Sequence, residues 1–268
     1  MGKVIAVCNQ KGGTGKTTTS INLIASLEKR GANVLAVDGD TQGNFTDAML
    51  SEVHEFDRSN GQTKYLKDFI NGDASFEEVV QPVLIKTNSK RKPRRMNIDI
   101  LPAAQEEGSK MFSNILLFKE RLDEVKDKYD YIVIDFPPER PYADTEKGQF
   151  NMVAMALCCA NEIITPCTAD VDSVTGFTTL LQHANVIKED YNHNLYRISF
   201  FLNNITDYKT DRDFLEYCES MAAYSGIWIP QSGLLKTSRV IDRPMAWYNS
   251  SSNVAKAYET LADYVMEK

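Results

Sequence analysis

One segment constrains this chain more than any other. Val4-Ile5-Ala6-Val7 runs into Cys8-Asn9-Gln10-Lys11-Gly12-Gly13-Thr14-Gly15-Lys16-Thr17-Thr18, followed by Ile21, Ile24, Ala25 and Leu27 at helical spacing. An apolar strand that turns through glycines into an amphipathic helix is the setting in which a glycine-rich turn binds phosphate. Glycine lets the backbone curl so that successive N–H groups converge on phosphate oxygens, and the helix N-terminus adds its partial positive charge. The segment therefore predicts nucleotide contacts at Lys11, Gly12, Gly13, Thr14, Gly15, Lys16, Thr17 and Thr18. Lys16 is expected to reach the β- and γ-phosphates of ATP, and the Thr17 hydroxyl to ligate Mg²⁺. The bland alternative, a glycine turn with no ligand, does not account for a strand before it and a helix after it.

The remaining chain alternates short apolar runs with amphipathic stretches. Candidate strands are Val4–Val7, Val34–Val37, Ile98–Leu101, Tyr131–Ile134, Ile163–Thr165, Ile198–Leu202 and Ile227–Ile229. Several lack polar alternation, as strands covered on both faces do. The pattern predicts an α/β fold in a single domain, with a mostly parallel twisted sheet and helices on both faces. Val254, Ala257, Tyr258, Leu261 and Val265 mark the last helix.

Hydrolysis needs a metal organiser and a group that orients water, at carboxyl ends of strands beside the phosphate loop. Two runs supply carboxylates there: Val34-Leu35-Ala36-Val37-Asp38-Gly39-Asp40-Thr41-Gln42-Gly43-Asn44 and Tyr131-Ile132-Val133-Ile134-Asp135-Phe136-Pro137-Pro138. A lone Asp after a strand is as often a turn residue; two such sites downstream of a phosphate loop carry more weight.

The early lysine and the order of these motifs extend the reading. The usual GxxxxGK[ST] pattern would place glycine at position 10, where this chain has Gln10; KGGxGKT[T] instead resembles the deviant phosphate loop of the ParA/MinD/nitrogenase-iron-protein group. DxDxQGN at Asp38 and IDxPP at Asp135 resemble the same family, as do Leu101-Pro102-Ala103, Ile163–Pro166 with the helix near Gly176 to Leu181, and Ile229-Pro230. The resemblance implies a P-loop ATPase in which Lys11 reaches nucleotide across an ATP-dependent homodimer. It implies that Asp40 orients water, that Asp38 supports the loop near Mg²⁺, and that Asp135 holds the metal through water. Asn203, Asn204 and Pro230 become candidate adenine contacts, with ordinary loop roles the alternative for the two asparagines.

It further implies a ParA-type DNA-partitioning ATPase that binds DNA nonspecifically and is released when a ParB-like partner stimulates hydrolysis. Such a protein is cytoplasmic and nucleoid-associated. An arginine used for DNA in ParA relatives aligns with Leu234 here, so Lys236, Arg239 and Arg243 are the candidates to compensate. Lys86 to Arg95, with six basic residues and no acid between Glu78 and Asp99, reads as a hairpin tip or exposed loop. Its Lys90, Arg91, Lys92, Arg94 and Arg95 are a second DNA candidate, and a solvated face is the alternative for both clusters. After Pro138 the chain departs from the family pattern with Glu139-Arg140-Pro141-Tyr142-Ala143-Asp144. The phosphate-loop strand stands at the start of the chain, so no N-terminal helix-turn-helix is expected.

Composition narrows the alternatives. With 30 basic and 37 acidic residues the formal charge is −7, so any DNA surface must be a local patch. The five cysteines lack CxxC spacing, which predicts reduced thiols rather than disulfides or a zinc site. A MinD-like membrane-cycling ATPase calls for a basic amphipathic end. This chain ends Tyr258-Glu259-Thr260-Leu261-Ala262-Asp263-Tyr264-Val265-Met266-Glu267-Lys268, with three acids and one lysine, so no membrane partner is expected. An iron–sulfur role would need ligating cysteines, and Cys158-Cys159 sit in an apolar helical run.

Overall fold

Alternate residues of the central strands bury themselves on opposite sides of one sheet. Val4, Ala6, Leu35, Val37, Ile132 and Ile134 enter one core; Ile5, Val7, Val34, Ala36 and Val133 enter the other. The period of two explains why these runs carry no polar positions, since both faces are roofed by helices.

The computed structural model describes residues 2–51, 56, 61–85, 93–105, 111–240 and 242–267. In chain order its strands are β1 (Lys3–Val7), β2 (Val34–Asp38), β3 (Gln81–Ile85), β4 (Arg94–Leu101), β5 (Met111–Phe112), β6 (Tyr131–Asp135), β7 (Ala143–Asp144), β8 (Gln149–Asn151), β9 (Glu162–Cys167), β10 (Arg197–Ile205) and β11 (Tyr224–Pro230). The main sheet has the order β11-β10-β9-β1-β6-β2-β4-β3. Every neighbouring pair is parallel except β3–β4. All seven expected strands are present, each longer than its apolar run, β4, β10 and β11 by about four residues.

Helices Leu66–Asn71, Leu117–Asp123, Met152–Leu157 and Val171–Asp190 feed the first core. The first helix, Lys16–Lys29, and the last, Asn253–Met266, feed the second through Leu23, Ile24, Leu27, Tyr258, Leu261 and Val265.

Two features go beyond the seven expected strands. The segment before the basic run forms β3, antiparallel to β4 with Ile85 opposite Arg94, in keeping with a hairpin there; Lys90, Arg91 and Lys92 lie outside the described residues. The departure after Pro138 is a hairpin, β7 with β8, completed by β5 into a separate three-stranded antiparallel sheet. Asn151 organises it: its Oδ1 accepts from Tyr142 N and Ala154 N, both at 3.0 Å, and its Nδ2 donates to Arg140 O at 2.8 Å. One side chain thus closes the hairpin and caps the next helix.

Candidate nucleotide site

The phosphate loop leaves β1 and enters the first helix through two glycines at positive φ, Gly13 at 77° and Gly15 at 92°. Gly15 is also the point of closest approach: a Cβ there would lie 2.3 Å from Asn203 Nδ2. That amide donates to Thr14 O at 2.8 Å. Asn203, buried at the end of β10, therefore braces the loop from beside it, a use its reading as a base contact did not include. Lys16 is 7% exposed, and its Nζ donates to Lys11 O at 3.1 Å. Burial lowers its pKa, while the Asp135 carboxyl pulls the other way.

Lys11 points elsewhere. Its Nζ donates to Asp170 Oδ1 at 2.5 Å, and both side chains are more than a third exposed. Asp170 is itself the N-cap of helix Val171–Asp190, accepting from Ser173 N at 2.8 Å and from Thr168 Oγ1 at 2.5 Å. Partial burial works against its charge, but the hydrogen bonds from Lys11, Thr168 and Ser173 outweigh it and hold the carboxyl below its ordinary range. Asp170 escaped the sequence reading; Asp followed by an apolar residue and Ser173 is an N-cap signal, but nothing local points to Lys11.

The two strand-end carboxylates stand side by side, since Asp38 and Asp135 are register partners of β2 and β6. Asp135 accepts from Thr17 Oγ1 and from Ser20 Oγ, each at 2.7 Å. Asp38 accepts from Thr46 N at 2.8 Å, Thr46 Oγ1 at 2.6 Å and Asp40 N at 3.1 Å. Both are fully buried. Burial pushes Asp38 up to about 6. Burial, and next the neighbouring Asp38 charge, push Asp135 up to about 7. Hydroxyls and amides, rather than cations, make these hydrogen bonds, and Lys16 acts on Asp135 only through space, so two carboxyls share one nearby positive charge. That shortage beside the Thr17 hydroxyl fits a divalent cation held by Thr17 and Asp135. Among the described residues no three His, Cys, Asp or Glu side chains gather as a metal site, so such a cation would draw its other ligands from phosphate and water. Asp38 instead holds Thr46, at the start of helix Asn44–Leu50.

Asp40 sits half-exposed at the rim, where its Oδ1 accepts from Gln42 N at 2.9 Å and its carbonyl from Gly43 N at 2.9 Å. Asn204 is exposed with φ 63°. Pro230 ends β11 at a cleft of about 980 Å³ between the loops that follow β10 and β11, lined also by Thr206, Tyr208, Gln231 and Ser232.

The described residues of the two basic candidates are separated by the length of the sheet. Lys236 and Arg239 are exposed on helix Gly233–Val240, and Arg243 follows it; Arg239 and Arg243 border the same small cavity as Thr17 and Thr18. Arg94 and Arg95 begin β4, parallel to β2, so they lie at the opposite end from Asp38. Arg95 is paired with Asp99 at 2.7 Å, and Arg94 is 3.8 Å from Glu28. The cysteines are free thiols, with Cys8, Cys158, Cys167 and Cys218 buried.

The AAA domain family model matches residues 2–197. At 30% identity the chain aligns over 274 residues with the chromosome-partitioning ATPase Soj of Treponema pallidum, covering 100% of this chain and 98% of that one. The chain belongs to the ParA/MinD family of P-loop ATPases. It is an ATPase of that family, and its mostly parallel sheet is the family's fold. A putative plasmid partition protein from Borrelia burgdorferi, solved with AMPPNP, superposes with a TM-score of 0.74 at 20% identity, covering 99% of each chain. The septum site-determining protein MinD of Pyrococcus horikoshii, solved with Mg-ADP, gives 0.71 at 24% identity, covering 99% of this chain and 96% of that one. No helix among the described residues is long and apolar enough to cross a membrane.

Proposed function

We propose that this ParA/MinD-family ATPase is a DNA-partitioning ATPase that dimerises on ATP, binds DNA nonspecifically and is released when a ParB-like partner stimulates hydrolysis. The posture of Lys11 carries this reading. A lysine that served its own phosphates would fold over the loop, as Lys16 does; Lys11 is paired outward with Asp170 on an open surface. From there it can complete a nucleotide site in a second copy. Full-length similarity to a Soj protein named for chromosome partitioning supports the same reading.

Within one site, Lys16 would counter charge on the β- and γ-phosphates, and Thr17 and Asp135 would hold a Mg²⁺ ion, which would supply positive charge to the phosphates. Asp40 orients the attacking water, and Asp38 keeps its segment in place through Thr46. The base sits between the loops that follow β10 and β11, near Asn204 and Pro230. Nonspecific DNA binding falls to Lys236, Arg239 and Arg243, which share the phosphate-loop end of the molecule, and would run through backbone phosphates with strong salt dependence. Such a protein works in the cytoplasm, on the nucleoid.

An electrophoretic shift on nonspecific duplex DNA tests this, with no nucleotide, ADP, ATP, and ATP with Asp40→Ala. The expected result is retention with ATP alone, strengthened by Asp40→Ala. Absence of retention in every state at low salt overturns the DNA reading.

A further inference from the structure

Asn22 lies one turn past Thr18 in the first helix and is 2% exposed. Its side chain is engaged at both ends: Nδ2 donates to Thr18 O at 2.8 Å, and Oδ1 accepts from Met245 N at 2.7 Å. Met245 opens the short helix Met245–Tyr248, so its N–H has no partner within that helix. The N-cap there is Pro244, which offers no side-chain cap. Asn22 therefore supplies, from another element, the cap this helix lacks.

The residues just before Met245 form a closed turn. Ser238 Oγ donates to Arg243 O at 2.6 Å, and Arg243 N donates to Ser238 O at 2.9 Å. Asp242 between them is held at φ 46°. Arg243 is thereby joined to Ser238, next to Arg239, and the amide of Asn22 ties the following Met245 to the first helix. The tie lands on Thr18, next to Thr17. A cavity of about 40 Å³ bounded by Thr17, Asn44, Leu235 and Arg239 marks where the first helix, the helix after the Asp40 turn and the basic helix converge.

We infer that Asn22 is a positioning residue: it locks the Ser238–Met245 turn to the first turn of the phosphate-loop helix, so that nucleotide at Thr17 sets the placement of Arg239 and Arg243. The inference rests on the proposed function only for what those arginines touch.

Hydrogen exchange on the full chain, with and without Mg²⁺ and AMPPNP, tests it. In the native protein nucleotide should slow exchange about fivefold across residues 238–248 as well as in the phosphate loop. Asn22→Leu, similar in shape and unable to bond at either end, should keep AMPPNP affinity within about threefold and phosphate-loop protection, yet lose the response of 238–248. Should that variant fail to fold, Ser238→Ala, which removes one of the two hydrogen bonds closing the turn and leaves Asn22 in place, is expected to weaken the same response. A native protein in which 238–248 ignores nucleotide, or a folded variant that responds as the native one does, overturns the inference. In the gel-shift assay the ATP-dependent gain in DNA affinity should fall about tenfold in Asn22→Leu. If the native protein never binds DNA, it is the DNA reading that fails, and exchange alone judges Asn22.

Discussion

The two ends of the central sheet both bury carboxylates and treat them in opposite ways. At the amino end Glu162, fully buried at the start of β9, is clasped by Lys3 and by Arg197 at 2.6 Å. Those cations also reach the end of the last helix: Lys3 donates to Val265 O at 2.5 Å and Arg197 to Tyr264 O at 2.8 Å. Cations are well placed there, against the negative end of a helix dipole. At the carboxyl end Asp38 and Asp135 receive only hydroxyls and amides, and their affinity for protons rises. Glu162 has two cations in direct contact, whereas the Asp pair has none hydrogen-bonded to it and feels only Lys16 through space, which leaves room for a cation that arrives with substrate.

The contrast can be broken most decisively at Lys16. Lys16→Ala should lower ATP affinity about a hundredfold or more by calorimetry, because it removes the buried ammonium of the phosphate loop. Retained affinity would mean the carboxyl end is not the nucleotide site.

The carboxylates themselves come next. Asp135→Asn should cut Mg²⁺-dependent turnover about a hundredfold while leaving the ligand-free protein as stable or more so. Glu162→Gln should leave turnover intact but cost about 3 kcal/mol in urea denaturation, since Lys3 and Arg197 lose their counter-charge. Similar phenotypes for the two would erase the distinction between a finished site and a poised one.

The basic patches offer a weaker form of the same test. Reversing the charges of Lys236, Arg239 and Arg243 should reduce ATP-dependent DNA retention about tenfold with ATP affinity unchanged. Arg94→Ala with Arg95→Ala, at the far end of the sheet and partly paired with Glu28 and Asp99, should do little. Retention lost only in the second variant would move the DNA surface to the other end.

The smallest effect is on pH dependence. Asp38 and Asp135 keep protons to about 6 and about 7, against 3.8 ordinarily, so the folded state binds protons the unfolded chain has released. Stability of the ligand-free protein should therefore fall as pH rises from about 4 to about 7 and level off above, by linkage. Melting temperatures between pH 5 and 8 should show a shallower slope in Asp135→Asn; identical slopes would remove the charge shortage from the argument.

The strands and the phosphate loop were legible because their signals are local: bare Ile/Val/Leu runs, glycines at the turn, and lysine and threonine at the helix start. Less legible were β3 and the three-stranded sheet. Gln81–Ile85 carries Pro82, which suits the edge position it takes, and β5 and β7 are only two residues each, too short for any period. Asp40 shows the turn-forming use of a strand-end aspartate, since its carboxyl accepts from Gln42 N in its own turn.

By itself the sequence determined which residues could do the chemistry: Lys11, Lys16, Thr17, Asp40 and Asp135 stand where short-range order puts loops at strand ends. Only the tertiary structure decided their partners. Lys11 meets Asp170, 159 residues away; Asn203 braces Thr14 from 189 residues away; Asn22 caps Met245 across 223. Spacing along a chain governs contacts within a turn or a strand, whereas these pairs come together because parallel crossovers return every strand to the same sheet end. That geometry also set the basic clusters at opposite ends, which no linear reading of charge could separate.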